Sequence, residues 1–170
     1  LGDVRHGYYV RVADEDVDGI LFTGSYETGL KIKQKTVEQY WKLLALEMGG
    51  KNPALVFPGA PTQALKTLVR SAFQNSGQIC LCGSRILIHR AIYEDFKHAF
   101  VSEAERLKIG PPSDPETQLG PVMSEPHFRK VLSYIALARE EGGNILCGGD
   151  RVEPAECGGW FIAPTVIEGL

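Results

Sequence analysis

The sequence predicts an α/β fold whose strands are mostly parallel. Short apolar runs alternate with longer amphipathic segments along the chain, a succession typical of β-α-β units. Two of the runs, at residues 20–22 and 54–57, contain no polar residue at all. Such runs are expected in parallel strands that are covered on both faces.

The first part of the chain is expected to contain a strand, a helix and a second strand. Residues 20–22 are apolar and end at the turn formers 23–25, which predicts a buried strand. A helical pattern follows over residues 29–40, and the apolar residues of 42–46 predict the second strand. Residues 3–15 mix apolar and charged side chains and predict a short helix or turn.

The glycine pair 49–50 permits a change of direction and is the best boundary between two lobes. Beyond it, apolar residues at i, i+3 and i+4 predict helices, and apolar runs bounded by glycine or proline predict strands. The helices are expected at 62–75, 91–108 and 125–141, the strands at 54–57, 84–88, 144–147 and 160–167, and a proline-rich loop at 110–115.

Composition excludes several classes of function. The chain has 170 residues, 44% of them hydrophobic and 23% charged, with a net charge of −3. Because it contains no basic run, neither nucleic acid nor an anionic membrane surface is expected as a partner. No apolar run reaches the roughly 18 residues of a membrane span, and residues 1–5 contain no signal-peptide core. The chain begins and ends in mid-pattern, as a piece of a longer protein would.

The four cysteines are Cys80, Cys82, Cys147 and Cys157. A disulfide framework in a chain of this size would be denser, and zinc ligands usually come as C-x-x-C or mixed Cys/His clusters. We therefore expect no metal, and reduced thiols in the cytoplasm.

Cys80 is a candidate nucleophile. It stands between the helix expected at 62–75 and the strand expected at 84–88, just after a Gly-Gln pair. A thiol at such a boundary can be exposed, and nearby backbone N–H groups can stabilise an oxyanion. The alternative is a small buried hydrophobic residue, which free cysteine usually is.

Two other places suggest chemistry at strand ends. Glu47 follows the strand at 42–46, where catalytic groups of α/β proteins collect, although it could be a structural carboxylate. Gly24, Ser25 and Gly29 lie between a strand and a helix, an arrangement that suits an anion. Their spacing matches neither the P-loop nor G-x-G-x-x-G, so a plain turn is the alternative there.

Taken in order, these motifs resemble the NAD(P)-dependent aldehyde dehydrogenase superfamily. The resemblance covers nearly the whole chain from about Val17, and the glutamate and cysteine blocks are specific as a pair. It is carried by FTGS-x-x-x-G at 22–29, LEMGGKNP at 46–53, F-x-N-x-GQ-x-C at 73–80, GPV at 120–122 and GWF-x-x-PTV at 159–166.

The resemblance implies a fold and a set of roles. Residues 1–49 would be the end of a Rossmann-type cofactor domain, and residues 50–170 the first part of the catalytic domain. Cys80 would attack an aldehyde, and a thiohemiacetal and a thioester would follow on the way to a carboxylic acid. Glu47 would activate the hydrolytic water and would work best buried in an apolar site. Gly24, Ser25 and Gly29 would meet the pyrophosphate of NAD or NADP.

The resemblance also bears on substrate and completeness. Residues 16–25 and 44–50 are similar to succinylglutamate-semialdehyde dehydrogenases, while 77–82 and 90–93 are similar to aminomuconate-semialdehyde dehydrogenases. A semialdehyde is therefore the expected substrate. The full-length protein is expected to form a homo-oligomer. The isolated chain is expected to be incomplete, to bind NAD weakly and to turn over little.

Two other functions remain open. A truncated paralogue could keep the scaffold and act as a non-catalytic, partner-binding module. A thiol esterase could use Cys80 and Glu47 without a cofactor, and its ester turnover would be indifferent to NAD.

Overall fold

The computed structural model describes residues 12–154 and 157–170, and the chain divides after Gly49 into two compact units. Each unit is an α/β arrangement, so the expected fold class is confirmed. Most of the helix or turn expected at 3–15 lies outside the described residues. Within those residues, no helix has both the length and the apolar composition required to cross a membrane.

The first unit contains strand β1 (Gly19–Thr23), helix α1 (Tyr26–Thr36) and strand β2 (Leu43–Glu47). The two strands are parallel, with Gly19 opposite Leu43 and Thr23 opposite Glu47. Their carboxyl ends therefore lie side by side.

Helix α1 forms where capping and charge favour it. Ser25 is its N-cap, Lys33 and Lys35 occupy the last turn, and the buried residues are Gly29, Ile32 and Thr36. Basic side chains near the carboxyl end interact favourably with the helix dipole. The spacing of the buried residues places them on one face of the helix.

The second unit is built from three helices and six short strands in the described residues. Their order follows the expected alternation, although a single strand expected at 160–167 is two short strands instead. The elements are β3 (Pro53–Val56), α2 (Gln63–Phe73), β4 (Arg85–Ile88), α3 (Tyr93–Glu105), α4 (Glu125–Glu140), β5 (Asn144–Cys147), β6 (Arg151–Val152), β7 (Phe161–Ile162) and β8 (Val166–Glu168).

Pairing in the second unit is mixed. Strands β3 and β4 are parallel, whereas β5 pairs with β8 and β6 with β7 in antiparallel fashion. The expectation of mostly parallel strands thus holds for β1 to β4 only. The break between β7 and β8 contains Pro164, which has no N–H group to donate to a ladder.

Aromatic side chains form much of the core of the second unit. The ring centroids of Phe73 and Phe100 are 6.2 Å apart, and those of Phe128 and Trp160 are 5.3 Å apart. Phe161 is only 1% exposed. Burial of one such side chain contributes about 1.5–3 kcal/mol. These contacts hold α2 against α3, and α4 against the residue that precedes β7.

A polar cluster fastens α3 to the β5–β8 pair. The carboxylate of Glu168 accepts hydrogen bonds from the Tyr93 hydroxyl (2.7 Å) and from the Asn144 amide (3.1 Å). The Lys97 ammonium lies 3.2 Å from the same carboxylate. The hydrogen bond from Tyr93, followed by those from Asn144 and Lys97, holds the pKa of Glu168 below its usual value.

Candidate active site

Cys80 lies in a tight turn just before β4. The Cys82 N–H donates to the Ile79 carbonyl (3.0 Å), so Cys80 and Leu81 are the two central residues. We call residues 79–82 the nucleophile turn. Cys80 is exposed and Cys82 is buried. The role of a small buried hydrophobic residue therefore fits Cys82 and not Cys80.

The chain enters the nucleophile turn through an unusual backbone segment. Asn75 (φ 52°), Ser76 (φ 55°) and Gly77 (φ 74°) all adopt the left-handed conformation. Glycine takes this conformation without strain, and asparagine does so more readily than most residues. Gln74 (ψ 137°) ends α2, and the three left-handed residues that follow redirect the chain towards Cys80.

Side-chain hydrogen bonds hold this redirected segment against residues 120–123. The Ser76 hydroxyl donates to the Gly120 carbonyl (2.7 Å). The Gln78 side chain donates to the Asn75 carbonyl (3.0 Å) and accepts from the Met123 N–H (2.9 Å). The GPV block at 120–122, noted in the sequence only as a resemblance, thus supports the approach to the nucleophile.

Asn52 holds the nucleophile turn from the other side. Its Nδ2 lies 2.6 Å from the Cys80 carbonyl oxygen and 3.2 Å from that of Cys82. Asn52 immediately precedes β3, and Arg85, the first residue of β4, pairs with Pro53. The parallel pairing of β3 and β4 therefore brings the KNP segment and the cysteine motif together. Sequence analysis did not assign a role to Asn52, because the contact depends on which strands pair.

The remaining cysteines lie in settings that suit a nucleophile less well. Burial raises the pKa of the Cys147 thiol, which disfavours the reactive thiolate. Cys82 is packed in the interior with its sulfur 3.8 Å from the Gln74 carbonyl. Cys157 is half-exposed and lies outside the matched motifs.

In the first unit, three of the residues singled out in the sequence gather at the carboxyl ends of β1 and β2. The Gly24 N–H donates to the Glu47 carbonyl (3.0 Å). Ser25 caps α1, and its hydroxyl oxygen accepts from the Thr28 N–H at 3.3 Å. Ligands of open α/β sheets bind at this edge.

Glu47 is exposed in this structure, so the apolar burial expected for it is not observed. Its backbone is fixed by the pairing with Thr23 and by the hydrogen bond from Gly24. Glu47 belongs to the first unit and Cys80 to the second.

Gly29 has a packing role that the sequence did not indicate. It is buried in α1, and a β-carbon added to it would clash with the Met48 sulfur and lie 3.3 Å from Met48 Cγ. The absence of a side chain allows the helix to pack closely on the residue after β2. Sequence reasoning had assigned this glycine to the pyrophosphate of the cofactor.

The residues at the start of α1 fit a dinucleotide phosphate in part. The first N–H groups of a helix have no partner within it, and they favour an anion together with the helix dipole. Gly24 and Ser25 place this helix end at the edge of the sheet beside Glu47. The carboxylate of Glu27 in the first turn acts against a second negative charge. The space beside Gly29 is filled by Met48, so the observed fit is carried by Gly24 and Ser25, and the pyrophosphate role of Gly29 stays a prediction.

Neither a metal centre nor the main cleft of the second unit adds to this site. Among the described residues, no three His, Cys, Asp or Glu side chains form a group that could hold a metal ion. A cleft of about 470 Å³ in the second unit does not include the nucleophile turn. It is lined by Lys66, Val69, Arg70, Phe73, Gln74, Glu103, Arg106, Leu107, Gln118 and Leu119.

Comparisons with known proteins agree with the motifs. The model of the aldehyde dehydrogenase family matches residues 9–170. The 2-aminomuconic semialdehyde dehydrogenase of Bos taurus is 45% identical over 161 residues, which cover 92% of this chain and 33% of that protein. The 2-aminomuconic 6-semialdehyde dehydrogenase of a Pseudomonas species is 38% identical over 97% of this chain and 35% of that protein.

The same relationship is seen in solved structures. Betaine aldehyde dehydrogenase from Staphylococcus aureus, in complex with NAD+, superposes with a TM-score of 0.91 at 35% identity. That match covers 98% of this chain and 33% of the other. The chain thus spans about a third of the length of the relatives that it matches.

Proposed function

The chain belongs to the aldehyde dehydrogenase family, and on that premise we propose that it carries the nucleophile and the general base of an NAD(P)-dependent aldehyde oxidation. The nucleophile is Cys80 and the general base is Glu47. The product is a carboxylic acid. The observation that carries the proposal is the exposed Cys80 thiol at the centre of a turn held by Asn52.

In the first half of the reaction, the Cys80 thiolate adds to the carbonyl carbon and forms a C–S bond. Negative charge moves to the carbonyl oxygen, where fixed N–H donors in the nucleophile turn stabilise it. As the oxyanion collapses, a hydride leaves this carbon, and bound NAD(P) would supply the acceptor for it. A thioester on Cys80 remains.

In the second half, Glu47 takes a proton from a water molecule that attacks the thioester carbon. The C–S bond breaks, the carboxylic acid leaves, and the Cys80 thiolate is free again. The exposure of Glu47 gives water access to the carboxylate, which this step requires.

Gly24 and Ser25 would hold the dinucleotide by its pyrophosphate at the start of α1. The arrangement of β1, α1 and β2 supports this role, since the helix end lies beside the carboxyl ends of both strands. The choice between NAD and NADP is left open. The Staphylococcus aureus relative is in complex with NAD+.

We infer that the substrate is a semialdehyde. Support comes from relatives named as 2-aminomuconic semialdehyde dehydrogenases in both an animal and a bacterium. Nothing in the described residues favours the partner-binding module or the cofactor-independent esterase.

Location and assembly remain predictions. All four cysteines are free thiols, which suits a reducing, cytoplasmic setting. The homo-oligomer expected for the full-length protein remains untested.

The test measures the thiol and the turnover separately. Iodoacetamide is added in limited amount, and each cysteine is quantified by peptide mass spectrometry. We expect Cys80 to be alkylated first, well before the half-exposed Cys157. Equal rates at the two positions would contradict the proposal.

Turnover is then followed as NADH absorbance with NAD+ and a panel of semialdehydes. Replacement of Cys80 by Ser should lower any NADH formation by about a thousandfold or more. The matched control, Cys157→Ser, should leave the rate unchanged. NADH formed equally well by the Cys80→Ser variant would exclude Cys80 as the nucleophile.

A further inference from the structure

We propose that Asn52 is a positioning residue for the nucleophile: its carboxamide clamps the backbone carbonyls of Cys80 and Cys82, the residues before and after Leu81, and thereby fixes the direction of the Cys80 side chain. The inference rests on the proposed function of Cys80. It assigns a task to a side chain that lies outside the cysteine motif and acts through the backbone of that motif.

The geometry of the clamp is well defined. Asn52 Nδ2 lies 2.6 Å from the Cys80 carbonyl oxygen and 3.2 Å from the Cys82 carbonyl oxygen. Both partners are acceptors, so the end of the carboxamide that faces them must be the NH₂ group, which has two hydrogens to donate. One side chain thus satisfies two carbonyls that are two residues apart.

Packing alone does not hold the nucleophile turn. Leu81 is 78% exposed and Cys80 is also exposed, so neither central side chain anchors the turn in the core. Only Cys82, at the end of the turn, is buried. Hydrogen bonds must therefore supply the orientation that apolar contacts supply elsewhere.

Asn52 is itself held rigidly enough to act as an anchor. Its carbonyl accepts from the Arg85 N–H (3.2 Å) as β3 and β4 begin to pair. The Arg85 side chain also donates to the Lys51 carbonyl (3.1 Å). Lys51 adopts a left-handed conformation (φ 54°), which aims the chain into β3. The clamp is thus fastened to the sheet on one side and to the nucleophile on the other.

Positioning of this kind affects rate more than ground-state structure. A nucleophile that is free to rotate spends less time in an attacking geometry, and a displacement of about 1 Å can cost about a hundredfold in rate. Loss of the two hydrogen bonds that hold this turn should thus lower Cys80 reactivity by about tenfold.

The experiment compares Asn52→Ala and Asn52→Asp with a matched control, Asn144→Ala. Asn144 donates to Glu168 and makes no hydrogen bond to the nucleophile turn. For each protein, the alkylation rates of Cys80 and Cys157 by iodoacetamide are measured as a function of pH, and folding is checked by far-UV circular dichroism and thermal unfolding.

We expect Asn52→Ala to lower the Cys80 rate by about tenfold at every pH, with the Cys157 rate unchanged. Asn52→Asp should lower it further and move the profile to higher pH, because a carboxylate beside the turn repels the two carbonyls and disfavours the thiolate. A residue that supports only the fold would lower the unfolding temperature without a selective or pH-dependent effect on Cys80.

Unchanged Cys80 rates in folded Asn52→Ala and Asn52→Asp variants would overturn the inference. If Asn52→Ala does not fold, Asn52→Ser replaces it, since its hydroxyl can still donate to one carbonyl, and the same comparison applies. The proposed function has its own test in the wild-type protein. It is contradicted if iodoacetamide alkylates Cys80 no faster than Cys157. The ratio of the Cys80 alkylation rate in each Asn52 variant to the rate in the wild type then tests the role of Asn52 alone.

Discussion

Gly29 offers the sharpest test of how the first unit is packed. In α1 the missing side chain of Gly29 leaves room for the end of Met48, the residue that follows β2. A change of Gly29 to Ala would put a methyl group into space that the Met48 thioether already fills. The same change would also remove a residue with poor helix propensity from the middle of a helix.

The two effects have opposite signs and known sizes. Alanine is favoured over glycine inside a helix by about 1 kcal/mol. Overpacking of a filled site costs about 1–3 kcal/mol. Met48 Cγ, which lies closer to the backbone than the flexible end of the side chain, would be only 3.3 Å from the new methyl group. We therefore expect Gly29→Ala to destabilise the first unit by about 1 kcal/mol net.

The assay is a double-mutant cycle. Urea unfolding, followed by tryptophan fluorescence, to which Trp41 contributes in the first unit, is measured for the wild type, Gly29→Ala, Met48→Ala and the double variant. In the Met48→Ala background the clash is absent, so Gly29→Ala should become stabilising by about 1 kcal/mol. The sign of one substitution would thus reverse with its neighbour. If Gly29→Ala is stabilising in both backgrounds, Met48 does not fill the space and the packing argument is refuted.

Two further predictions concern the cap of α1 and the polar cluster at β8. Ser25→Ala should lower the stability of the first unit by about 1 kcal/mol in urea unfolding, because it removes the acceptor of the Thr28 N–H. Ser25→Asp should keep the cap yet weaken NAD+ binding, measured calorimetrically, because its charge repels pyrophosphate; unchanged affinity would remove Ser25 from the cofactor site. The pKa of Glu168 is lowered, first of all by the hydrogen bond from the Tyr93 hydroxyl. The ionised Glu168 carboxylate therefore stabilises the folded state above about pH 4.3, the pKa of an unfolded glutamate, and this stabilisation is lost as the pH falls through the lower folded-state pKa. The difference in urea midpoint between wild type and Glu168→Gln should therefore shrink from about pH 6 to about pH 3, and a constant difference would contradict the assignment.

Helices with a regular spacing of apolar residues could be predicted from the sequence. The helix expected at 62–75 is found at Gln63–Phe73, and the one at 125–141 at Glu125–Glu140. The first of these ends early because Gln74 adopts a non-helical conformation (ψ 137°), which a hydrophobic pattern does not encode. The expected strand at 160–167 is interrupted around Pro164, where the chain loses a donor.

Site residues also divide into those that a local motif predicts and those that depend on tertiary contacts. Cys80 could be singled out because its motif lies at a boundary between two elements, and the structure places its thiol at the surface. The contacts of Asn52 and Met48 could not, because each contact joins segments whose meeting depends on strand pairing or helix packing. The burial expected for Glu47 was a requirement of the proposed chemistry and not of any local pattern, and the structure shows this side chain exposed.

The parallel pairing of β3 and β4 has a consequence for how the chain can change in length. Asn52 and Cys80 are separated by 28 positions, but their contact is set by the register that places Pro53 opposite Arg85. Residues 57–63, which are exposed and include the open turn at Gly59, can therefore gain or lose residues while the contact stays in place. One residue added between Cys82 and Arg85 would displace the cysteine by about 3.3 Å and turn neighbouring side chains to the opposite face. Related chains should thus differ freely in length before α2, at residues 57–63, and hardly at all after it, between Cys82 and Arg85.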